Sequence, residues 1–132
     1  MKPEQKFKSQ VISQLHGHVQ LIESMVGRGV PDMYWCIYEK PCWVEFKVEV
    51  PKLGVLLRPE QNAWCVRNQA NGGKVFLVAL YVTRMVGIYQ FPVKCGAPVH
   101  VWKKLYIPVV GCPDISCPIK ETGKSLLSLL VV

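Results

Sequence analysis

The chain has 132 residues, half of them hydrophobic, and its 16 Lys and Arg outnumber nine Asp and Glu to give a formal charge of +7. That length suits a single domain spanning 1–132 rather than two ordinary ones, and the apolar content excludes an extended disordered chain. The basic excess attracts polyanions through counterion release and steering, which favours nucleic acid as partner; a basic soluble protein with no charged partner is the competing reading.

No apolar run approaches a membrane span, so no membrane partner is expected. The longest, 126–132, is interrupted by Ser128 and reads as a packing or dimerisation segment. Cysteines stand at positions 36, 42, 65, 95, 112 and 117. No secretory leader precedes them and the amino terminus is polar, which predicts reduced thiols in a cytoplasmic protein. Cys112 and Cys117 bracket Pro-Asp-Ile-Ser, but no second pair or His-rich segment completes a zinc site.

Residues 3–15 read as a first helix, with Pro3 at its start and Phe7, Val11 and Leu15 repeating every four residues. Glu4 precedes Phe7 by three positions and Val11 by seven, which puts its carboxylate on the inward side, away from Lys2, Lys6 and Lys8. The plainer reading is a first-turn acid complementing the helix dipole. His16 and His18 flank Gly17 in what should be an exposed loop. Residues 19–25 look like a strand, broken by Gly27-Arg28-Gly29 before Pro31; a tight irregular turn follows, from which Asp32 emerges.

Residues 33–38 and 42–50 form the arms of a predicted hairpin whose connection contains Pro41. In the second arm Trp43, Glu45, Lys47 and Glu49 share one face, and Val44, Phe46, Val48 and Val50 the other. Glu45 and Lys47 are then about 7 Å apart along the strand, with Asp32 opening its neighbour. A Glu and Lys on a strand face ordinarily mean solvated surface. Asp32 and its turn change that reading, because two carboxylates and a lysine at this separation suit metal-assisted phosphodiester hydrolysis.

Residues 51–57 read as a loop holding Lys52, with Arg58 beside it. Pro59 opens a second helix that stops near Asn71 at Gly72-Gly73. Gln61 falls on the inward stripe with Trp64 and Cys65. Residues 74–82 form a nearly continuous apolar strand of the kind buried on both faces, and 86–91 form another. The order helix, three strands, helix, strand predicts an α/β fold with a mixed central β-sheet flanked by helices. Between Pro92 and Pro118 five prolines and the pair Lys103-Lys104 predict short strands and loops. Thr122-Gly123-Lys124-Ser125 looks like the end of a phosphate-binding loop, but the earlier glycine such a loop requires falls at Pro118.

Glu4, the Gly29-Val30-Pro31-Asp32 turn, Glu45-Phe46-Lys47 and Gln61 together resemble the PD-(D/E)XK nuclease superfamily, and within it the small VRR-NUC type. Such proteins occur as compact stand-alone forms in phages and bacteria and as nuclease modules of larger repair enzymes. The resemblance covers 3 to about 82, within a motif-bearing core of about 3–91; the extension 92–132 carries none of it. It implies a restriction-endonuclease-like core and a metal-dependent DNA endonuclease, resembling Holliday-junction resolvases that act on branched DNA as homodimers and leave a 5′-phosphate and a 3′-hydroxyl.

Asp32 and Glu45 are oxygen ligands suited to Mg²⁺ or Mn²⁺, with the Phe46 backbone carbonyl a further ligand and water completing the set. Lys47 is placed to orient the attacking water or to stabilise charge on the transition state. The resemblance implies that Glu4 binds metal through water or at a second metal site, and that Gln61 positions the water or a phosphate. Arg28, Lys52, Arg58, Arg67 and Lys74 are candidate phosphate contacts. The hairpin aromatics Tyr34, Trp35, Tyr38 and Trp43 suit the core first and a dimer surface second. The alternative function is a non-catalytic nucleic-acid-binding module that keeps the nuclease fold; a sequence-reading restriction nuclease is less compatible with 132 residues.

Overall fold

The computed structural model describes residues 2–22 and 29–132. Helix α1 (Pro3–Ile12) leads into β1 (His18–Leu21), followed by the hairpin β2 (Met33–Ile37) and β3 (Lys40–Val48). A two-residue strand β4 (Leu56–Leu57), helix α2 (Pro59–Ala70), β5 (Val75–Leu80) and β6 (Met85–Gln90) come next. The remainder contains β7 (Val99–Val101), β8 (Lys104–Pro108), β9 (Ile115–Pro118), a 3₁₀ turn and α3 (Thr122–Leu130). The predicted strand 19–25 ends at Leu21, where the Ile22 N–H donates to the Asp32 carbonyl at 2.9 Å; its continuation from 23 lies outside the described residues.

The main sheet has the order β1-β2-β3-β5-β6-β9. β3 and β5 are parallel, with α2 as their crossover, and the other neighbours are antiparallel. The α/β class and the mixed, helix-flanked sheet agree with the sequence reading. β4, β8 and β7 form a second small sheet, so the segment read as a loop over 51–57 contains a strand.

Local chemistry explains the hairpin. Tyr38 and Glu39 both have positive φ, 51° and 61°, the type I′ geometry whose twist matches a two-residue connection. Pro41 sits inside β3 without harm. It faces the same side as Trp43, whose N–H donates to the Lys74 carbonyl at 2.9 Å, and β5 begins only opposite Trp43. The N–H that proline lacks would therefore have no strand to pair with.

The alternation of β3 sorts two apolar layers. Val44 and Phe46 pack with Phe7, Val11, Met33 and Trp35 under α1 and α3, the Phe7 ring meeting Phe46 edge-on at 6.0 Å between centroids. On the opposite face, Leu77, Ala79, Cys65 and Val55 form a core with Trp43 and Trp64 beneath α2. β5 is buried along its whole length, as its unbroken apolar sequence requires.

Residues 92–132 are woven into this arrangement: β9 lies beside β6, and α3 buries Leu126 and Leu130 in the layer shared with α1. The apolar tail therefore packs within its own chain through Leu126 and Leu130. Gly123 takes part in that packing, its N–H donating to Gln14 Oε1 at 2.8 Å, while a Cβ there would lie 2.7 Å from Gln14 Cβ. The phosphate-loop look-alike is a helix contact. Lys74 closes the other end of α3, its Nζ donating to the carbonyls of Leu130 at 3.2 Å and Val132 at 3.3 Å. The ammonium read as a candidate phosphate contact is engaged here with the end of α3.

If the tail is core, Leu126→Ala and Leu130→Ala each lower stability by roughly 2–5 kcal/mol, whereas Val132→Ala, at a 95% exposed position, changes it by less than about 0.5 kcal/mol. Urea unfolding followed by tryptophan fluorescence measures the difference.

Candidate active site

The site forms where β2 leaves β3. The β2–β3 ladder starts with Met33 opposite Val44, so Phe46, the next β3 residue facing that side, has no strand beside it. Asp32 Oδ2 accepts its N–H at 2.9 Å. In return Glu45 Oε1 accepts the Asp32 N–H at 3.2 Å. Because a strand residue directs its N–H and C=O to the same side, the Phe46 carbonyl also turns toward Asp32.

Gln61 anchors the pair from α2. Its Nε2 donates to Glu45 Oε2 at 2.8 Å, and its Oε1 accepts the Arg58 N–H at 2.9 Å, closing the first turn of the helix and fixing the amide. Lys47 Nζ lies 3.5 Å from the same Glu45 oxygen, and Lys8 Nζ lies 3.6 Å from Asp32 Oδ1. Gly29 sets the loop against α2. Its φ is +81°, and a Cβ would come within 2.1 Å of the Glu60 carbonyl oxygen, so only glycine lets the Asp32 turn lie on that helix end.

Glu45 is 3% exposed. Burial first, and then the Asp32 charge, push its carboxyl up to about 8, while the Lys47 ammonium and the Asp32 N–H pull it down. Once ionised, the buried Glu45 beside Asp32 would leave negative charge for a cation to neutralise. The oxygens available at this point belong to Asp32, Glu45 and the Phe46 carbonyl. Among the described residues no three His, Cys, Asp or Glu side chains gather in one place, so a hard cation here would take much of its shell from water or phosphate.

The structure thus brings together Asp32, Glu45, Lys47 and Gln61. Glu4 is placed differently from its inward reading: the helix begins at Pro3, the buried stripe starts only at Phe7, and Glu4 is an exposed first-turn acid one turn before Lys8. Lys52 is exposed in the turn after β3, and Arg58 is exposed at the start of α2, 3.7 Å from Glu60. Arg67 is exposed near the other end of α2, about 9 Å along the axis from Gln61. Arg28 lies outside the described residues. Lys8 was not singled out in the sequence; its signal is its position next to the buried Phe7, on the helix edge that reaches Asp32.

Among solved structures, Archaeoglobus fulgidus Hjc, a Holliday junction resolvase from an archaeal hyperthermophile, superposes with a TM-score of 0.55 at 11% sequence identity, over 92% of this chain and 96% of that one. The likeness shows that the two chains share a fold. No family model and no curated protein matches the chain in sequence.

The raised carboxyl of Glu45 has a signed consequence for stability. Between the ordinary carboxylate range and about 8 the folded state holds a proton that the unfolded chain has lost, so folding stability falls as pH rises through that window. Urea titrations in chelator at several pH values from 5 to 9 should show this fall, flattened in Glu45→Gln, which cannot titrate there; an equal slope in both proteins would contradict the assignment.

Proposed function

We propose that the protein is a metal-dependent DNA endonuclease selective for branched DNA, acting as a homodimer and leaving a 5′-phosphate and a 3′-hydroxyl. The observation that carries the reading is the clasp of Asp32 and Glu45, with Lys47 beside it, at the splayed end of β2 and β3. The resolvase-type fold supports it.

The donor set fits Mg²⁺ or Mn²⁺: two carboxylates and a carbonyl are hard oxygen ligands, and the upward pressure on Glu45 is relieved by a cation. When bound, such an ion supplies Lewis-acid polarisation of a phosphate oxygen and a more acidic water. Asp32, Glu45 and the Phe46 carbonyl would hold it, with exposed Glu4 acting through water.

The chain's own groups do the rest. Gln61 fixes the Glu45 carboxylate from behind, so its oxygens need little reorganisation when substrate arrives. Lys47 is 18% exposed in its side chain and sits only loosely on Glu45, leaving its ammonium available to charge developing on the phosphorus oxygens or to the attacking water. Lys8 holds Asp32 in the same loose manner. Lys52, Arg58 and Arg67 serve as phosphate contacts on the surrounding surface. Symmetric cutting of a four-way junction needs two such sites, which pairing of two copies supplies.

A cleavage assay over linear duplex, single strand, flap and four-way junction, with Mg²⁺ or Mn²⁺, tests this. Asp32→Ala and Lys47→Ala should each lower cleavage at least about a hundredfold while DNA binding stays within a few-fold of wild type. Binding without cleavage of any substrate would instead establish the non-catalytic module.

A further inference from the structure

We propose that the β7–β8 hairpin is a nucleic-acid probe, in which Trp102 stacks on a base left unpaired or unstacked at a branch while Lys103 and Lys104 engage the neighbouring phosphates. The proposal rests on the nucleic-acid reading above and assigns that reading a feature the cleavage site lacks, a means of sensing where the duplex opens.

The hairpin stands clear of both cores. None of residues 99–108 is buried, and Trp102 at its tip is 92% exposed, more than any other large hydrophobic side chain among the described residues except the terminal Val132. Val101 pairs with Lys104, leaving Trp102 and Lys103 as the connection, with φ of 53° and 66°. A type I′ turn favours Asn-Gly, and an indole in left-handed backbone gains no packing in return. The fold gives no reason for Trp at this position.

The hairpin is nevertheless firmly based. β8 pairs with β4, where Leu56 and Leu57 are 5% and 0% exposed. The Val109 N–H donates to the Val55 carbonyl at 2.8 Å, and Cys95 Sγ contacts Asn62 Oδ1 on α2 at 3.7 Å. From Ile107, opposite Leu57, the strand runs to the tip over roughly 15 Å at about 3.3 Å per residue. β4 passes directly into Arg58 and the first turn of α2, so the hairpin base and Gln61 are held by one short segment.

Charge selects the occupant. Two lysines beside an exposed aromatic suit a polyanion that presents flat apolar faces, the combination by which single-stranded nucleic acid is held. The β2–β3 turn provides a contrast: it has the same backbone and a 72% exposed Tyr38, but its second residue is Glu39, which repels phosphate. In a continuous duplex every base face is covered, so Trp102 has a partner only where stacking is interrupted.

The test is binding of wild-type protein, Trp102→Ala, Trp102→Phe and Lys103→Glu/Lys104→Glu to fluorescein-labelled linear duplex, single strand and four-way junction in chelator. A parallel set carries 2-aminopurine at the branch point. Trp102→Ala should weaken junction and single-strand binding about tenfold or more while duplex affinity stays within about twofold, and should abolish the 2-aminopurine response. Trp102→Phe should restore most of both, and the double charge reversal should weaken all three substrates with a shallower salt dependence.

Unchanged junction binding by Trp102→Ala overturns the proposal, as does a wild-type dimer that this substitution splits into monomers, since Trp102 would then cover a second copy. Wild-type protein that binds no nucleic acid removes both this proposal and the nuclease reading. Trp102-dependent binding with no cleavage removes only the nuclease reading.

Discussion

Two opposed hydrogen bonds, from the Phe46 N–H to Asp32 and from the Asp32 N–H to Glu45, hold the structure's functional end together. They arise from a mismatch in strand length. β3 must run on to pair with β5 through Val48, whereas β2 starts only at Met33, leaving the flank of β3 open at Phe46. An unpaired N–H at that depth is unfavourable, and the Asp32 carboxylate satisfies it. The acid proposed for the chemistry thus also caps a strand edge, which fixes its position.

The lengths of the surrounding contacts rank their firmness. Gln61 meets Glu45 at 2.8 Å, within the range of a good hydrogen bond, while the two ammonium groups stand off at 3.5 and 3.6 Å, beyond the 2.7–2.9 Å of tight charge-assisted bonds. The neutral amide positions and the lysines compensate charge. Lys8 faces the charge of Asp32, and Lys47 faces a negative charge at Glu45 only when that raised carboxyl is ionised. A polyanionic ligand draws the ammoniums toward itself, which raises the demand for a cation on the carboxylates. Burial makes this demand acute at Glu45 and much weaker at Asp32, whose side chain is 29% exposed.

How much of this was legible follows the range of the forces involved. The two faces of β3 could be read because a strand's period is strict, and α2 because Pro59 and Gly72-Gly73 bracket it; observed bounds of Pro59–Ala70 fall within those signals. Glu4 departs from its inward reading because helical spacing gives an azimuth but not depth: the buried stripe of α1 begins at Phe7, and Glu4 one turn earlier is exposed. Gly29 looked like turn punctuation, but its close approach to Glu60 depends on a helix that arrives thirty residues later. Lys74 and α3 were equally hidden. A lysine that closes a helix more than fifty positions away, and a helix opening with Thr-Gly-Lys-Ser, leave no local pattern.

The two-residue strand β4 shows how much can depend on an element with no sequence periodicity. It lies between the turn that leaves β3 and the first turn of α2, so it is the physical link between the strand bearing Glu45 and Lys47 and the helix bearing Gln61. It is also the edge strand of the second sheet, pairing Leu56 with Pro108 and Leu57 with Ile107. Both leucines are buried, which makes a shift of β8 against β4 costly in packing, and packed interiors transmit such shifts rather than absorb them. The pairing of β8 with β4 places the hairpin base next to the Arg58–Gln61 turn. The amide of Gln61 has both ends committed, to the Arg58 N–H and to Glu45, so movement of that turn changes the orientation of the buried carboxylate. The hairpin base and the Gln61 turn thus share the short segment that runs from Leu56 into α2.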